Sequence, residues 1–559
     1  MNLLDQPADA LASNGSMKYR WAQPGDVNAF FGLMLDNLAG LLLMVGLLSG
    51  GFGFPVEFAV GAMVPGTALG VLIGDLAFFW LAFRLAKRTG NPDVTAMPLG
   101  LDTPSTFGMV LFILGPSFTD GVNNLGLAPE QAALRTWHIG IWCIVISGIL
   151  KLALSPTGEW VRRVVPRAGL LGSLAAIALA IISFFPLVEI LGHPLPGMIA
   201  LVIVMMTLIG RLPVPGRVPG TLAALLVAGG MYYLMCAIGA DGYEFPQAMT
   251  VTWMPTVWLD SYSFGWVSRF TDALPYVPIA LPFALATVVG GIDCTESAAA
   301  AGDQFDTRTV LGIEAVATLA AGFSGGVIQT TPYIGHPAYK AMGGRAAYTL
   351  ATALVIGSAG MIGYFAFLNA WIPKPAVYPI LVFIGLEITA QSFLATPKRH
   401  FPAVAFACVP ALAFLAGSLP GQIFGDAATL EAGLGPQTLD PLLGKNLRVV
   451  TMLSSGFILT SLLWAWMLAA GIDRKLKVAA AVMALCGTLT LFGLMHSPLP
   501  GSQLFVPFGP ESWGELVLAP QYRSTIYEFV AGYFVAAGML WGWSLMPTRG
   551  EDIDSIENA

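Results

Sequence analysis

The sequence predicts an all-α, polytopic membrane protein built on an inverted repeat with two broken spans, and three observations predict it. Of its 559 residues, 56% are hydrophobic and 11% are charged, whereas a soluble domain carries about 25% charged residues. So little charge does not cover a water-facing surface of this size, and lipid is the solvent around most of the chain. Apolar stretches suited to crossing a bilayer recur along the whole length. Two of these stretches, residues 96–115 and 325–344, are interrupted in matching style by Gly, Pro and paired small polar residues.

The elements follow in order. Residues 1–25 form a polar tail without an apolar leader core, so the first span itself is expected to direct insertion. Spans at 27–49, 58–86, 99–116, 137–155, 168–191, 197–211 and 219–239 make a first repeat at 26–239. An outer loop covers 240–275, rich in Trp, Gly and acidic residues. Spans at 276–301, 309–322, 326–342, 346–371, 376–394, 401–418 and 448–470 make a second repeat at 276–470. Two extra spans, 476–496 and 525–546, fill 471–546, and a C-terminal tail runs from 547 to 559. With the N-terminus inside and the sides alternating, 20 of the 26 Lys and Arg residues fall inside. Only Arg135, Arg269, Lys374, Lys445, Arg448 and Arg523 fall outside. That asymmetry predicts cytoplasmic N- and C-termini in a bacterial inner (cytoplasmic) membrane.

Composition also excludes functions. The net charge of −7 sits in loops, and no basic patch of the kind nucleic acid needs is present. Five scattered cysteines show no CxxC or Cys/His spacing, so neither a metal site nor a disulfide is expected. No cofactor is expected. A membrane-embedded enzyme or a receptor is the reading from another class, and the sequence offers it neither a nucleotide-binding loop nor a soluble catalytic domain.

The two breaks align. Leu101 to Gly108 reads LDTPSTFG, and Gln329 to His336 reads QTTPYIGH, which sets Thr103-Pro104 on Thr331-Pro332. Upstream, Asp36 of the first span matches Asp293 of the eighth. Seven spans separate the copies, so the second enters from the opposite side, and broken helices at corresponding positions mark a transporter's binding site. Proline removes a backbone donor and disfavours helix before it. Main-chain groups freed in mid-membrane are tolerated only where protein or a cavity receives them. Each break is therefore expected to build half of a polar pocket.

Ionisable residues in spans are costly and mark function. Asp293 and Glu296 lie three apart on one helix, close enough to raise each other's proton affinity. They are candidates for substrate binding and proton coupling, with Asp36 and Asp75 as further proton-coupling candidates. Gln329, Thr331, Tyr333, Ile334, Gly335 and His336 of the second break, with Thr103 and Ser105 of the first, are the remaining substrate-binding candidates. Asp102 opens the first broken segment, either as a helix cap or as a pocket residue.

At these residues the chain resembles the nucleobase–ascorbate and nucleobase–cation symporters, which include uracil permeases and AzgA-type purine permeases. Thr331 to Arg345, TPYIGHPAYKAMGGR, is similar to the AzgA-type stretch ending in Gly-Gly-Arg. Cys294 to Asp303, CTESAAAAGD, is similar to the eighth-span motif that holds a substrate-binding glutamate, a role falling on Glu296. The resemblance implies fourteen spans in two inverted sets of seven. Spans 1–4 and 8–11 would form a core domain and the others a gate domain, with the two C-terminal spans extra to it. It implies a secondary active transporter moving a nucleobase-like small polar solute with a coupling ion, H+ rather than Na+, in a lipid bilayer, and a homodimer is compatible with the sequence. Gly335 and His336 stand where those families carry an acid or amide. That leaves an organic or inorganic anion as the alternative cargo of the same fold.

Overall fold

A chain in lipid must close its backbone hydrogen bonds within each segment, and here it does so mostly in long helices. The structure, a computed structural model, describes residues 19–156, 164–246, 252–333, 335–425, 429, 432–435, 438–499, 505–509 and 517–546. The first half contains α1 (Gly25–Phe52), α2 (Val56–Thr89), a break, α5 (Pro129–Leu154), α6 (Arg167–Gly192), α7 (Pro194–Ile209) and α8 (Gly220–Ala237). The break is β1 (Leu99–Leu101), α3 (Thr103–Gly108), a π-turn at Met109–Leu114 and α4 (Gly115–Asn123). The second half contains α9 (Val277–Ala300), α10 (Thr307–Phe323), β2 (Thr330–Pro332), α11 (His336–Ala341), α12 (Ala347–Ile362) and α13 (Phe365–Trp371). Next come α14 (Lys374–Leu394), α15 (Lys398–Gly421), α16 (Pro441–Ser454) and α17 (Phe457–Ile472). The C-terminal pair is α18 (Leu476–Leu491) and α19 (Pro520–Trp543).

Among the described residues, eight helices are long and apolar enough to cross a membrane alone, or up to ten if each bent pair is one span. The bent pairs are α12 with α13, at 95°, and α16 with α17, at 75°. Stretches 99–116 and 326–342 are not continuous rods. Three of the four π-turns in the first half, at 59–63, 109–114 and 178–183, lie two or three residues ahead of Pro65, Pro116 and Pro186, the fourth being at 205–209. A proline offers no N–H to the turn before it and its ring crowds that turn, so the helix widens there.

The helices pack as two groups, which are called core and gate after the division expected from the sequence. In the core, α2 runs along α10 and α12, α5 along α10, and α1 against α12. In the gate, α6, α15 and α17 pack mutually, α14 lies on α6 and α7 on α8. The extra pair α18 and α19 pack on each other, with α18 on α17. Small residues set the closest approach in the core. A Cβ on Gly66 would lie 2.2 Å from the Ser324 carbonyl, and one on Gly326 would lie 2.6 Å from the Thr67 nitrogen. There the lead-in to β2 touches α2 backbone to backbone.

Candidate functional site: a cavity at two crossed breaks

The two breaks meet. β1 and β2 pair antiparallel, Leu99 opposite Pro332, Gly100 opposite Thr331 and Leu101 opposite Thr330. Asp102 N–H donates to the Gln329 carbonyl at 2.9 Å and Tyr333 N–H to the Pro98 carbonyl at 2.8 Å, extending the pairing at both ends. Antiparallel running is what an inverted repeat requires of its matched segments.

A two-stranded ladder has two open edges, and edges in a membrane need partners. Side chains of the surrounding helices supply them. On the β1 edge, Asp75 accepts the Leu99 N–H at 3.0 Å. Asn37 accepts the Leu101 N–H at 3.1 Å and donates to the Leu99 carbonyl at 3.4 Å. On the β2 edge, Thr318 accepts the Thr330 N–H at 3.3 Å, Lys151 donates to the Thr330 carbonyl at 2.9 Å, and Cys294 donates to the Pro332 carbonyl at 3.2 Å. Lys151 is also ion-paired to Glu314 at 2.9 Å, with both side chains 1% exposed. The freed main-chain groups thus go largely to each other and to this frame.

Past β1 the chain turns helical at once. Asp102, in extended conformation, caps α3 by accepting the Ser105 N–H at 2.8 Å, with Pro104 in the first turn. That is the expected chemistry of an N-cap followed by a residue that needs no donor partner. The same sequence position in the second copy stays extended. The alignment of Thr103-Pro104 with Thr331-Pro332 therefore sets a helix start on a strand.

Between ladder and gate lies a cavity of about 580 Å³. From the core it is lined by Asp102, Thr103, Thr287, Ser297, Thr331 and Tyr333, and from the gate by Arg167, Ile388, Gln391 and Ser392. Arg167 opens α6 and donates to the Ala395 carbonyl at 3.3 Å. Gln391 donates to Glu387 at 2.8 Å. The volume suits a small solute, with polar groups converging on an otherwise apolar wall.

Of the residues singled out from sequence, Asp102, Thr103, Thr331 and Tyr333 line this cavity. Ser105 is buried within the first turn of α3. Gln329 is fully buried behind the wall, its Oε1 3.4 Å from the Thr287 hydroxyl and its Nε2 without a partner. Asp75 supports β1, and Asp36 is buried beside Gly100. Gly335 is buried against the Tyr333 ring. His336 is not in the cavity wall. Its Nε2 lies 3.2 Å from Asp303 and 3.1 Å from the Thr95 carbonyl. Lys340 meets the same Asp303 oxygen at 2.6 Å and the Thr95 N–H donates to it at 3.1 Å. Burial opposes ionisation of Asp303, yet the bonds from His336, Lys340 and Thr95 hold its carboxyl below the usual aspartate range. Ile334 and the side chains of Asp293 and Glu296 lie outside the described residues, although Cys294 and Ser297 of the same helix line the cavity.

The pair Lys151 and Glu314 escaped the sequence reading, in which Lys151 counted as a flanking cytoplasmic cation. A signal was present. Val310 to Val316, VLGIEAV, parallels Val71 to Ala77, VLIGDLA, and sets Glu314 on Asp75.

No protein-family model and no curated protein sequence matches this chain. Solved structures do. The transmembrane domain of the cyanobacterium bicarbonate transporter BicA is 14% identical, covering 79% of this chain and 97% of that one, with a TM-score of 0.43. SLC26A9 is 11% identical, covering 91% of this chain and 88% of that one, with a TM-score of 0.45. The murine Slc26a9 anion transporter in its inward-facing state is 14% identical, covering 73% and 67%, with a TM-score of 0.35. The resemblance to nucleobase symporters read from the motifs is not the one these comparisons return: the structures found are a bicarbonate transporter domain and SLC26A9 anion transporter structures, a different family.

Proposed function

We propose that this chain is a secondary transporter that carries a small anion, with the core group moving against the gate group. One observation carries the reading: the cavity sits where the crossed breaks of the core face the gate, and a guanidinium, Arg167, stands in its wall beside hydroxyl and amide groups. Arg167 and hydroxyl donors suit an anion, because charge-assisted hydrogen bonds are the strong ones. The exposed lining residues Arg167, Leu394 and Ala395 belong to segments at the ends that the Lys and Arg count assigns to the cytoplasm. Coupling to a proton rather than to sodium completes the proposal.

The test is uptake by the purified full chain in liposomes, using radiolabelled chloride, bicarbonate, sulfate and succinate. Saturable uptake of at least one of them is expected. Arg167→Ala should weaken its apparent affinity roughly 10- to 100-fold, the loss of one charge-assisted hydrogen bond. Vesicles that take up none of the four, or an Arg167→Ala variant with wild-type affinity for each, would contradict the reading.

A further inference from the structure

An anion cavity with a carboxyl in its wall needs an account. Asp102 is 7% exposed and lines the cavity beside Thr103 and Thr331. Behind it stands one ammonium, Lys151, which acts electrostatically on Asp102 and is paired at 2.9 Å with Glu314. A single buried cation thus serves two carboxyl groups. Even with Arg167 in the wall, adding an anionic cargo next to Asp102 would set three negative charges, Asp102, Glu314 and the cargo, against two positive ones, Lys151 and Arg167. Buried charge without a partner is strongly disfavoured. A proton on Asp102 removes the conflict. As an acid, Asp102 gains an O–H donor that can face the cargo, while its other oxygen can keep the Ser105 N–H and so preserve the cap of α3.

We propose that Asp102 is the proton carrier of the cycle. It takes one proton as an anion enters the cavity and gives it up as the anion leaves, so that the two move together one for one. This rests on the anion reading above. Other ionisable groups face the region: Lys151 on α5, Glu314 on α10, Arg167 on α6 and Glu387 on α14. Asp36 on α1 and Asp75 on α2 lie across β1, and Asp293 and Glu296 are on α9. Asp102 differs from Glu314, Asp36 and Asp75 in lining the cavity itself.

The experiment uses the full chain in liposomes loaded with a fluorescent pH dye, with radiolabelled chloride, sulfate and succinate as probes. Wild type should take up its anion faster with acid outside, and uptake should acidify the lumen. Asp102→Asn keeps a capping oxygen but has no proton to exchange. It should carry or bind the anion with less than twofold change between pH 5.5 and 7.5, and without lumenal acidification. Binding measured by tryptophan fluorescence keeps the test alive if that variant no longer transports. Wild-type affinity should fall about tenfold per pH unit at the alkaline end, and the variant's should stay flat. Asp102→Glu, which retains both cap and titrating group, should keep acidification. Wild-type uptake without proton movement, acidification that persists in Asp102→Asn, or acidification that survives there and vanishes in Glu314→Gln, Glu387→Gln, Asp293→Asn or Glu296→Gln would each overturn the proposal. A wild type that neither binds nor carries any of the three anions at any pH would instead overturn the anion reading beneath it.

Discussion

The two breaks share a sequence pattern and solve the same problem in different ways. At the first, neighbouring side chains bond the strand directly: Asp75 and Asn37 take the outward groups of β1, and Asp102 starts a helix one residue later. At the second, the strand's outward carbonyl is held by a lysine that must itself be neutralised by Glu314, and the helix that follows ends after six residues, whereas α3 runs on through the π-turn into α4. The repeat mates Asp75 and Glu314 thus do different work, one bonding a strand N–H and the other balancing a charge. The difference lies in the donor that meets the carbonyl, since both edges present an N–H and a carbonyl. The Leu99 carbonyl takes the neutral amide of Asn37, whereas the Thr330 carbonyl takes a lysine, which brings a charge that the core must cancel.

The largest effect should come from breaking the charged support. Lys151→Ala strands Glu314 as a lone buried carboxylate, and removing one member of such a pair costs about 3–5 kcal/mol. Thermal unfolding of the purified protein should show it as the steepest loss of any single substitution here. Replacing both partners, Lys151→Met with Glu314→Leu, should recover much of the loss because no charge is then unpaired. A double variant as unstable as Lys151→Ala would mean that the ion pair is more than a support for β2.

The first break should be milder. Asp75→Leu leaves the Leu99 N–H without its acceptor and should cost about 1–3 kcal/mol, while Asp75→Asn keeps an acceptor oxygen and should cost less. Equal unfolding curves for Asp75→Leu and wild type would remove Asp75 from the frame. Thr318→Val, which takes one hydroxyl from the β2 edge, should fall lower still, at about 1 kcal/mol.

What was legible in the sequence follows the same division. Thr103-Pro104 and Thr331-Pro332 announce the breaks because proline acts on its own turn, and such local effects can be read without neighbours. Asp102 as a cap is legible for the same reason. That the chain is mostly apolar helix was legible from composition, but among the described residues only eight helices, or up to ten with the bent pairs, are long and apolar enough to cross a membrane, against the sixteen stretches expected. The frame around the ladder was not, because Lys151, Asn37, Thr318 and Cys294 come from four different helices and only packing unites them. Lys151 was hardest to see: a lysine in the last turn of an apolar helix is usually a membrane-surface cation, and only the facing Glu314 makes it an internal one. His336 misled for the opposite reason. It sits in the matching motif, but the extended stretch of the second break runs farther, which carries it away from the cavity to Asp303.

That Asp303 cluster gives the smallest and most specific test, because it fastens the second break beyond its short helix. Asp303 joins the end of α9 to His336 and Lys340 on α11 and to Thr95 ahead of β1. Its carboxyl is held below the ordinary aspartate value: burial pushes the other way, but the bonds from His336, Lys340 and the Thr95 N–H prevail. A depressed folded value stabilises the protein above the unfolded aspartate value of about 3.9, and the contribution disappears as pH falls through the folded value. Acidification from pH 5 towards pH 3 should therefore lower the melting temperature of wild type more than that of Asp303→Asn, by about 2 °C. The asparagine keeps an acceptor for the Thr95 N–H but holds no charge to lose. Hydrogen exchange should localise the acid-induced loosening to residues 94–98 and 336–344, leaving the α3 cap protected. Identical acid profiles for the two proteins, or loosening that begins at Asp102 instead, would show that the second break does not depend on this carboxylate and would dissolve the contrast between the two supports at that end.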